Sequence, residues 1–226
     1  MKVLILGGAA SGKSAFAEAF ASDCARERGA SLVYVATLDA GAGGDTAERI
    51  RRHRAARAGK GFVTLEWTDV RTVPDVCGAV AATADAAHGV PSLPRRAWKK
   101  PVVLIEDFGN LVANYLYPPR AGWEDDVPNS SDAIATAAAL VRLLHGLSAQ
   151  TSDCIAVTNE VTLGGAIPDS VRLYAESLAT LNVRWAAECE RVYAVVAGIP
   201  LTLKSPSLHD VERDRTFAVS KSRQRF

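Results

Sequence analysis

A chain of 226 residues, 48% hydrophobic and 23% charged, has the composition of a globular protein with one sizeable α/β core. Its 26 Lys+Arg against 25 Asp+Glu leave a formal charge of +1, which supports neither a nucleic-acid partner nor attachment to a membrane surface. No stretch approaches a membrane span, the apolar run at the start is too short for a signal peptide, and Cys24, Cys77, Cys154 and Cys189 show no C-x-x-C spacing. A zinc site or a disulfide framework is therefore not expected, and buried free thiols in a reducing cytoplasm are the better reading.

In chain order, Val3-Leu4-Ile5-Leu6 reads as a short buried strand. Gly7-Gly8-Ala9-Ala10-Ser11-Gly12-Lys13-Ser14 follows and matches G-x-x-x-x-G-K-[ST]. A helix is expected to run from there to about Arg28, with Gly29 as its stop. Residues 32–36 read as a second strand, and 39–44 as a glycine-rich loop. Residues 45–58 read as a basic helix, 62–67 as a strand, and 73–87 as an alanine-rich helix. A proline- and cation-bearing loop at 89–101 leads into Val102-Val103-Leu104-Ile105, a run of the kind buried inside a parallel sheet. A short helix and a second polar loop at 118–131 come next. Helix, strand (154–157), long helix (170–190) and strand (192–197) complete the alternation. Strands separated by helices predict a three-layer α/β fold of the P-loop NTPase type, RecA-like, with a mostly parallel central sheet. Residues 1–204 are expected to form a single nucleotide-binding catalytic domain, and 205–226 a polar extension.

Four constellations carry chemistry. In the first, glycines at 7–12 let backbone N–H groups turn inward around a polyphosphate at a helix N-terminus, Lys13 reaches the β- and γ-phosphates, and Ser14 holds Mg²⁺. In the second, Glu106 closes the buried strand, where P-loop proteins keep the acid that helps hold Mg²⁺; adjacent Asp107 is an alternative. In the third, Arg49, His53 and Arg57 fall four apart on one face of the basic helix. Flanking cations favour a neutral, nucleophilic imidazole at His53 and attract a polyphosphate; a solvated basic face is the plainer account of such a run. His88, His145 and His209 lack comparable company. In the fourth, Asn159-Glu160 sits at the carboxyl end of a strand, on the ligand-binding edge of an open α/β sheet.

Together these stretches resemble the bifunctional adenosylcobinamide kinase/adenosylcobinamide-phosphate guanylyltransferase family of cobalamin assembly. The resemblance covers residues 1–204: the loop at 7–14, Tyr34-Val35-Ala36-Thr37, Arg49-Ile50-x-x-His53-x-x-x-Arg57, Asn114, Asn159-Glu160-Val161, Pro168, Asn182-x-Arg184 and the stretch 195–204. It implies phosphoryl transfer from ATP or GTP to the aminopropanol hydroxyl of adenosylcobinamide. It also implies transfer of GMP from GTP, through a guanylylated His53, to adenosylcobinamide phosphate, giving adenosylcobinamide-GDP. Lys13, Ser14 and Glu106 with Mg²⁺ would serve the phosphates, Thr37 belongs to the nucleotide site, Arg49 and Arg57 would neutralise phosphate oxygens, and Asn159 and Glu160 would line the pocket. A homotrimer is implied by the family alone. The chain departs from the family at 107–111, Asp-Phe-Gly-Asn-Leu where Cys-Leu-Thr-Leu-Trp is usual, and at Thr162, where glycine is usual. Two other readings remain: a simple P-loop small-molecule kinase without guanylyl transfer, and a catalytically silent nucleotide-binding module.

Overall fold

Side chains of alternate residues on β1 (Lys2–Gly7) enter opposite layers, and that alternation organises the molecule. A computed structural model describes residues 1–38, 51, 55, 57, 59–88, 99–118, 132–161 and 168–206. Val3 and Ile5 pack with Ala17, Ala21 and Ala25 of α1 (Lys13–Arg28). Leu4 packs on the other face with a larger cluster. That cluster is supplied by α2 (Val76–His88), α3 (Phe108–Leu116), α4 (Ala133–Ser148) and α5 (Asp169–Glu188). The small alanine stripe of α1 lets that helix lie close to the strands, whereas the opposite layer uses Phe108, Leu140, Leu144 and Trp185, all fully buried.

The strands are β1, β2 (Leu32–Ala36), β3 (Phe62–Glu66), β4 (Val102–Glu106), β5 (Asp153–Asn159), β6 (Arg191–Val196) and β7 (Ile199–Lys204). They form one sheet in the order β3-β2-β4-β5-β1-β6-β7. All neighbours are parallel except β6 and β7. Every residue of β4 is buried, as its unbroken apolar run requires. The expected α/β P-loop fold, three layers around a mostly parallel sheet, is observed.

Most expected elements recur within a few residues of their expected ends, and α1 stops at Gly29 in the left-handed conformation. Strand β7 was not expected. It returns antiparallel from β6 through Ala197 (φ 50°) and Gly198 (φ 79°), two left-handed residues of the kind that suits a tight hairpin. Alanine in the first of these positions is the reason that turn is silent in the sequence. The thiols also differ in part: Cys154 and Cys189 are buried, but Cys24 and Cys77 are only half-buried. His145 does have company, lying 2.6 Å from Glu188 and against Trp185. The loops at 39–44 and 119–131, most of 89–101, nearly all of the basic stretch 45–58 and most of the extension after 204 lie outside the described residues; Arg51, Ala55 and Arg57 are helical. Among the described residues no helix is long and apolar enough to cross a membrane.

Candidate nucleotide and phosphoryl-transfer site

The turn between β1 and α1 has no spare space behind it. A Cβ on Gly7 would stand 2.7 Å from the Val195 carbonyl oxygen, so only glycine lets β1 pass directly into the loop. Gly12 ends the loop at φ 89°, the left-handed region, and opens α1. Gly8, Ala9 and Ala10 are exposed, so the loop faces solvent at the helix N-terminus, where unpaired N–H groups and the helix dipole attract anions. Lys13 is 8% exposed and its Nζ donates to the Gly8 carbonyl over 3.1 Å, folding the ammonium back across the loop.

Ser14 and Glu106 are 92 positions apart and meet: Ser14 Oγ donates to Glu106 Oε1. Glu106 Oε2 is buried and has no hydrogen-bond partner among the described residues. Burial pushes the Glu106 carboxyl up to about 7; the Ser14 bond opposes this, Asp107 and Glu18 add to it, and Lys13 opposes it. A carboxylate in such a place calls for a cation. The hydroxyl of Ser14 and the orphaned oxygen of Glu106 are hard oxygen donors of the kind Mg²⁺ takes alongside phosphate oxygens and water, so the residues fit that ion.

The choice between the adjacent acids is resolved by geometry. Glu106 turns toward Ser14, while Asp107 caps α3, its Oδ1 accepting the Asn110 N–H over 2.9 Å. Asp107 Oδ2 accepts a hydrogen bond from Asn159 Nδ2 over 3.3 Å. Asn159 is itself braced, its carbonyl accepting from Asn182 Nδ2 over 3.2 Å, while Thr158 donates to Asn182 Oδ1 over 2.7 Å. Thr37 is fully buried and gives its hydroxyl to the Glu106 carbonyl (2.7 Å) and the Asp107 carbonyl (3.0 Å). Asn114 donates to the Thr37 carbonyl over 2.7 Å. Thr37 and Asn114 therefore shape the end of β4 from below.

The structure thus brings together residues 7–14, Glu106, Thr37 and Asn159 at the carboxyl edge of the sheet. Glu160 is exposed, away from these bonds, and Arg49 and His53 lie outside the described residues. Arg57 is 7% exposed, its guanidinium carbon 3.5 Å from the centre of the Tyr34 ring. Sequence reasoning missed three contributors. Glu18 stands one turn after Ser14 on α1, the same-face spacing that could have flagged it. Tyr174 places its hydroxyl 2.8 Å from where a Cβ on Gly109 would sit, and the β6–β7 turn backs the phosphate loop through Gly198. Neither of these contacts leaves a local sequence signal.

A glycine-rich loop at a helix N-terminus, with an inward lysine and a serine bonded to a strand-end acid, defines a P-loop nucleotide-binding protein. The comparisons with known proteins narrow this. The model of the cobinamide kinase / cobinamide phosphate guanyltransferase family matches residues 3–203, and the chain belongs to that family. The bifunctional adenosylcobalamin biosynthesis protein CobP of Pseudomonas aeruginosa is 30% identical over 210 residues, covering 92% of this chain and all of the relative. The bifunctional CobU proteins of Salmonella typhimurium and Escherichia coli are 30% and 29% identical over 213 residues, each covering 90% of this chain and the whole relative. Among solved structures, a KaiC-like protein from Pyrococcus horikoshii aligns with TM-score 0.42 at 15% identity, over 85% of this chain and 69% of that one. The flagellar accessory protein FlaH from Methanocaldococcus jannaschii aligns with TM-score 0.38 at 16% identity, over 90% and 78%.

Proposed function

We propose that this chain performs both reactions of its family on adenosylcobinamide and its phosphate in the cytoplasm, with one nucleotide site serving each. The observation that carries the residue assignment is the meeting of Ser14 with Glu106 beside Lys13 at the N-terminus of α1. In the kinase step the loop N–H groups and Lys13 grip the β- and γ-phosphates of ATP or GTP. The acceptor hydroxyl attacks the γ-phosphorus, the bond to the β-phosphate oxygen breaks, and the hydroxyl proton is released. Mg²⁺ held by Ser14 and Glu106 would supply the positive charge that phosphoryl transfer draws on. In the guanylyl step a ring nitrogen of His53 attacks the α-phosphorus of GTP and pyrophosphate leaves. A phosphate oxygen of adenosylcobinamide phosphate then attacks the same phosphorus, breaking the P–N bond and restoring the imidazole. Arg49 and Arg57 neutralise phosphate oxygens, Thr37 and Asn159 brace the Glu106–Asp107 segment behind the site, and Glu160 lines the pocket's exposed edge. The family's homotrimer suits the apolar residues Ile199, Leu201 and Leu203, which β7 exposes on one side.

Incubation with Mg²⁺ and GTP labelled at the α-phosphate tests the central claim. The expected result is an acid-labile GMP adduct on the peptide carrying His53, absent with γ-labelled GTP and absent in His53→Ala. A full adduct in His53→Ala would overturn the role of His53. Phosphoryl transfer with no adduct in the wild type would leave a simple kinase.

A further inference from the structure

Arg57 is set on an aromatic surface with one nitrogen left over. Its guanidinium carbon lies 3.5 Å from the centroid of Tyr34, and both side chains are almost wholly buried, at 7% and 4% exposure. Nη1 of Arg57 is buried with no hydrogen-bond partner among the described residues. A desolvated guanidinium nitrogen without an acceptor is costly, and a planar fork of N–H donors is shaped for phosphate oxygens.

The surroundings fix this group. Tyr34 belongs to β2, which pairs with β4 so that Ala36 lies opposite Glu106. Its ring is held edge-on by Phe62, centroids 6.0 Å apart at 89°. Behind Arg57, Lys60 closes a turn by donating its N–H to the Arg57 carbonyl over 3.0 Å. Lys60 Nζ then reaches Glu18 Oε2 at 2.6 Å, anchoring that turn to α1 one helical turn beyond Ser14. Two independent anchors, one on β2 and one on α1, converge on the same short segment.

We propose that Tyr34 is a positioning residue for phosphate binding: its ring face sets the plane of the Arg57 guanidinium, and the Lys60–Glu18 pair pins the turn behind it. Nη1 is thereby held desolvated and unpartnered for a phosphate oxygen of the nucleotide. Tyr34 acts through Arg57, by ring face rather than by hydroxyl. This rests on the reading of residues 7–14 as the nucleotide site.

The test compares full-length wild type, Tyr34→Phe, Tyr34→Leu, Arg57→Lys and the Tyr34→Leu/Arg57→Lys double variant. Each is checked for a cooperative thermal transition, then titrated with Mg·GTP by calorimetry and assayed for GMP incorporation from α-labelled GTP. Tyr34→Phe keeps the ring and is expected within about twofold of wild type in both readouts. Tyr34→Leu and Arg57→Lys are each expected to bind GTP about tenfold more weakly, the second because lysine is a point charge without the fork. The double variant is expected within twofold of Arg57→Lys, because the ring has no function once the plane is gone. Tyr34→Leu with wild-type GTP affinity and labelling overturns the proposal, and so does a double variant that loses about a hundredfold. Should Tyr34→Leu fail to fold, Tyr34→Phe decides: a tenfold loss there assigns the effect to the hydroxyl and overturns the platform. A wild type that binds GTP without forming an adduct removes the guanylyl transfer, while the affinity series still judges Tyr34.

Discussion

Gly198 donates its backbone N–H to the Ser11 carbonyl over 2.8 Å, so the hairpin at one end of the sheet braces the phosphate loop from behind. The approach is close enough that a Cβ on Gly12 would stand 3.2 Å from Gly198 Cα, and Gly12 itself sits at φ 89°. Gly12→Ala is therefore expected to cost about 1–2 kcal/mol, from the left-handed conformation alone. It should also weaken GTP binding more than tenfold by displacing the loop. Urea denaturation and GTP calorimetry on the same preparation check the two parts.

The hairpin itself carries a correctable strain. Ala197 is held at φ 50°, which asparagine and glycine adopt more readily than alanine. Ala197→Asn is expected to raise stability by about 0.5–1 kcal/mol. Its thermal midpoint should rise with GTP affinity unchanged.

The adjacent acids Glu106 and Asp107 should separate cleanly under mutation. Asp107 caps α3, so Asp107→Ala should cost about 1 kcal/mol of stability and leave GTP affinity within about threefold. Glu106 is a buried acid facing Ser14. Glu106→Gln should preserve the fold and reduce phosphoryl transfer by at least about a hundredfold, the scale of losing a main electrostatic contributor. Steady-state kinetics beside urea curves for both variants distinguish the two roles.

Gly109 stands in the first turn of α3, beside the Asp107 cap. Alanine normally favours a helix over glycine by about 1 kcal/mol, but here its Cβ would lie 2.8 Å from the Tyr174 hydroxyl and 3.1 Å from Asp107 Oδ1. Gly109→Ala should forfeit that gain in the wild type and recover about 1 kcal/mol of it in a Tyr174→Phe background. Equal effects in the two backgrounds would show that the hydroxyl does not set the limit.

The thiols supply a pH test. Burial is the leading cause that pushes Cys24, Cys154 and Cys189 up to about 12. These groups stay neutral in the fold while the unfolded chain ionises near the ordinary thiol value. Their contribution to stability is thus complete below that value and is lost as pH rises toward 12. Thermal midpoints should fall between about pH 9 and 12. At pH 8 a thiol reagent should modify the buried Cys154 and Cys189 only after denaturation, and the half-buried Cys24 more readily.

Much of the fold was legible because its signals are local. The apolar run 102–105, the glycines bounding residues 7–14 and the glycine after α1 each state a backbone requirement where it occurs. The pairing of Ser14 with Glu106 was legible from position alone, since both lie at the carboxyl edge of parallel strands. What was not legible depends on contacts across the chain. Asp107 reads as a second candidate acid until α3 starts beside it and takes its carboxylate as a cap. Asn159 reads as a pocket residue, yet its amide is spent on Asp107 and its carbonyl on Asn182. Tyr34 reads as a core strand residue, and only the folded structure lays Arg57 on its face.

The placement of β5 between β1 and β4 turns the sheet into a gauge. The strand that launches the phosphate loop and the strand that ends in Glu106 run like rails two spacings apart, about 10 Å. Hydrogen-bond ladders on both sides of β5 keep that track width, and moving either rail would mean breaking a whole ladder. Accommodation of a bulkier acceptor is thereby confined to the segments beyond the strand tips, while the strands that carry loop and acid keep their spacing.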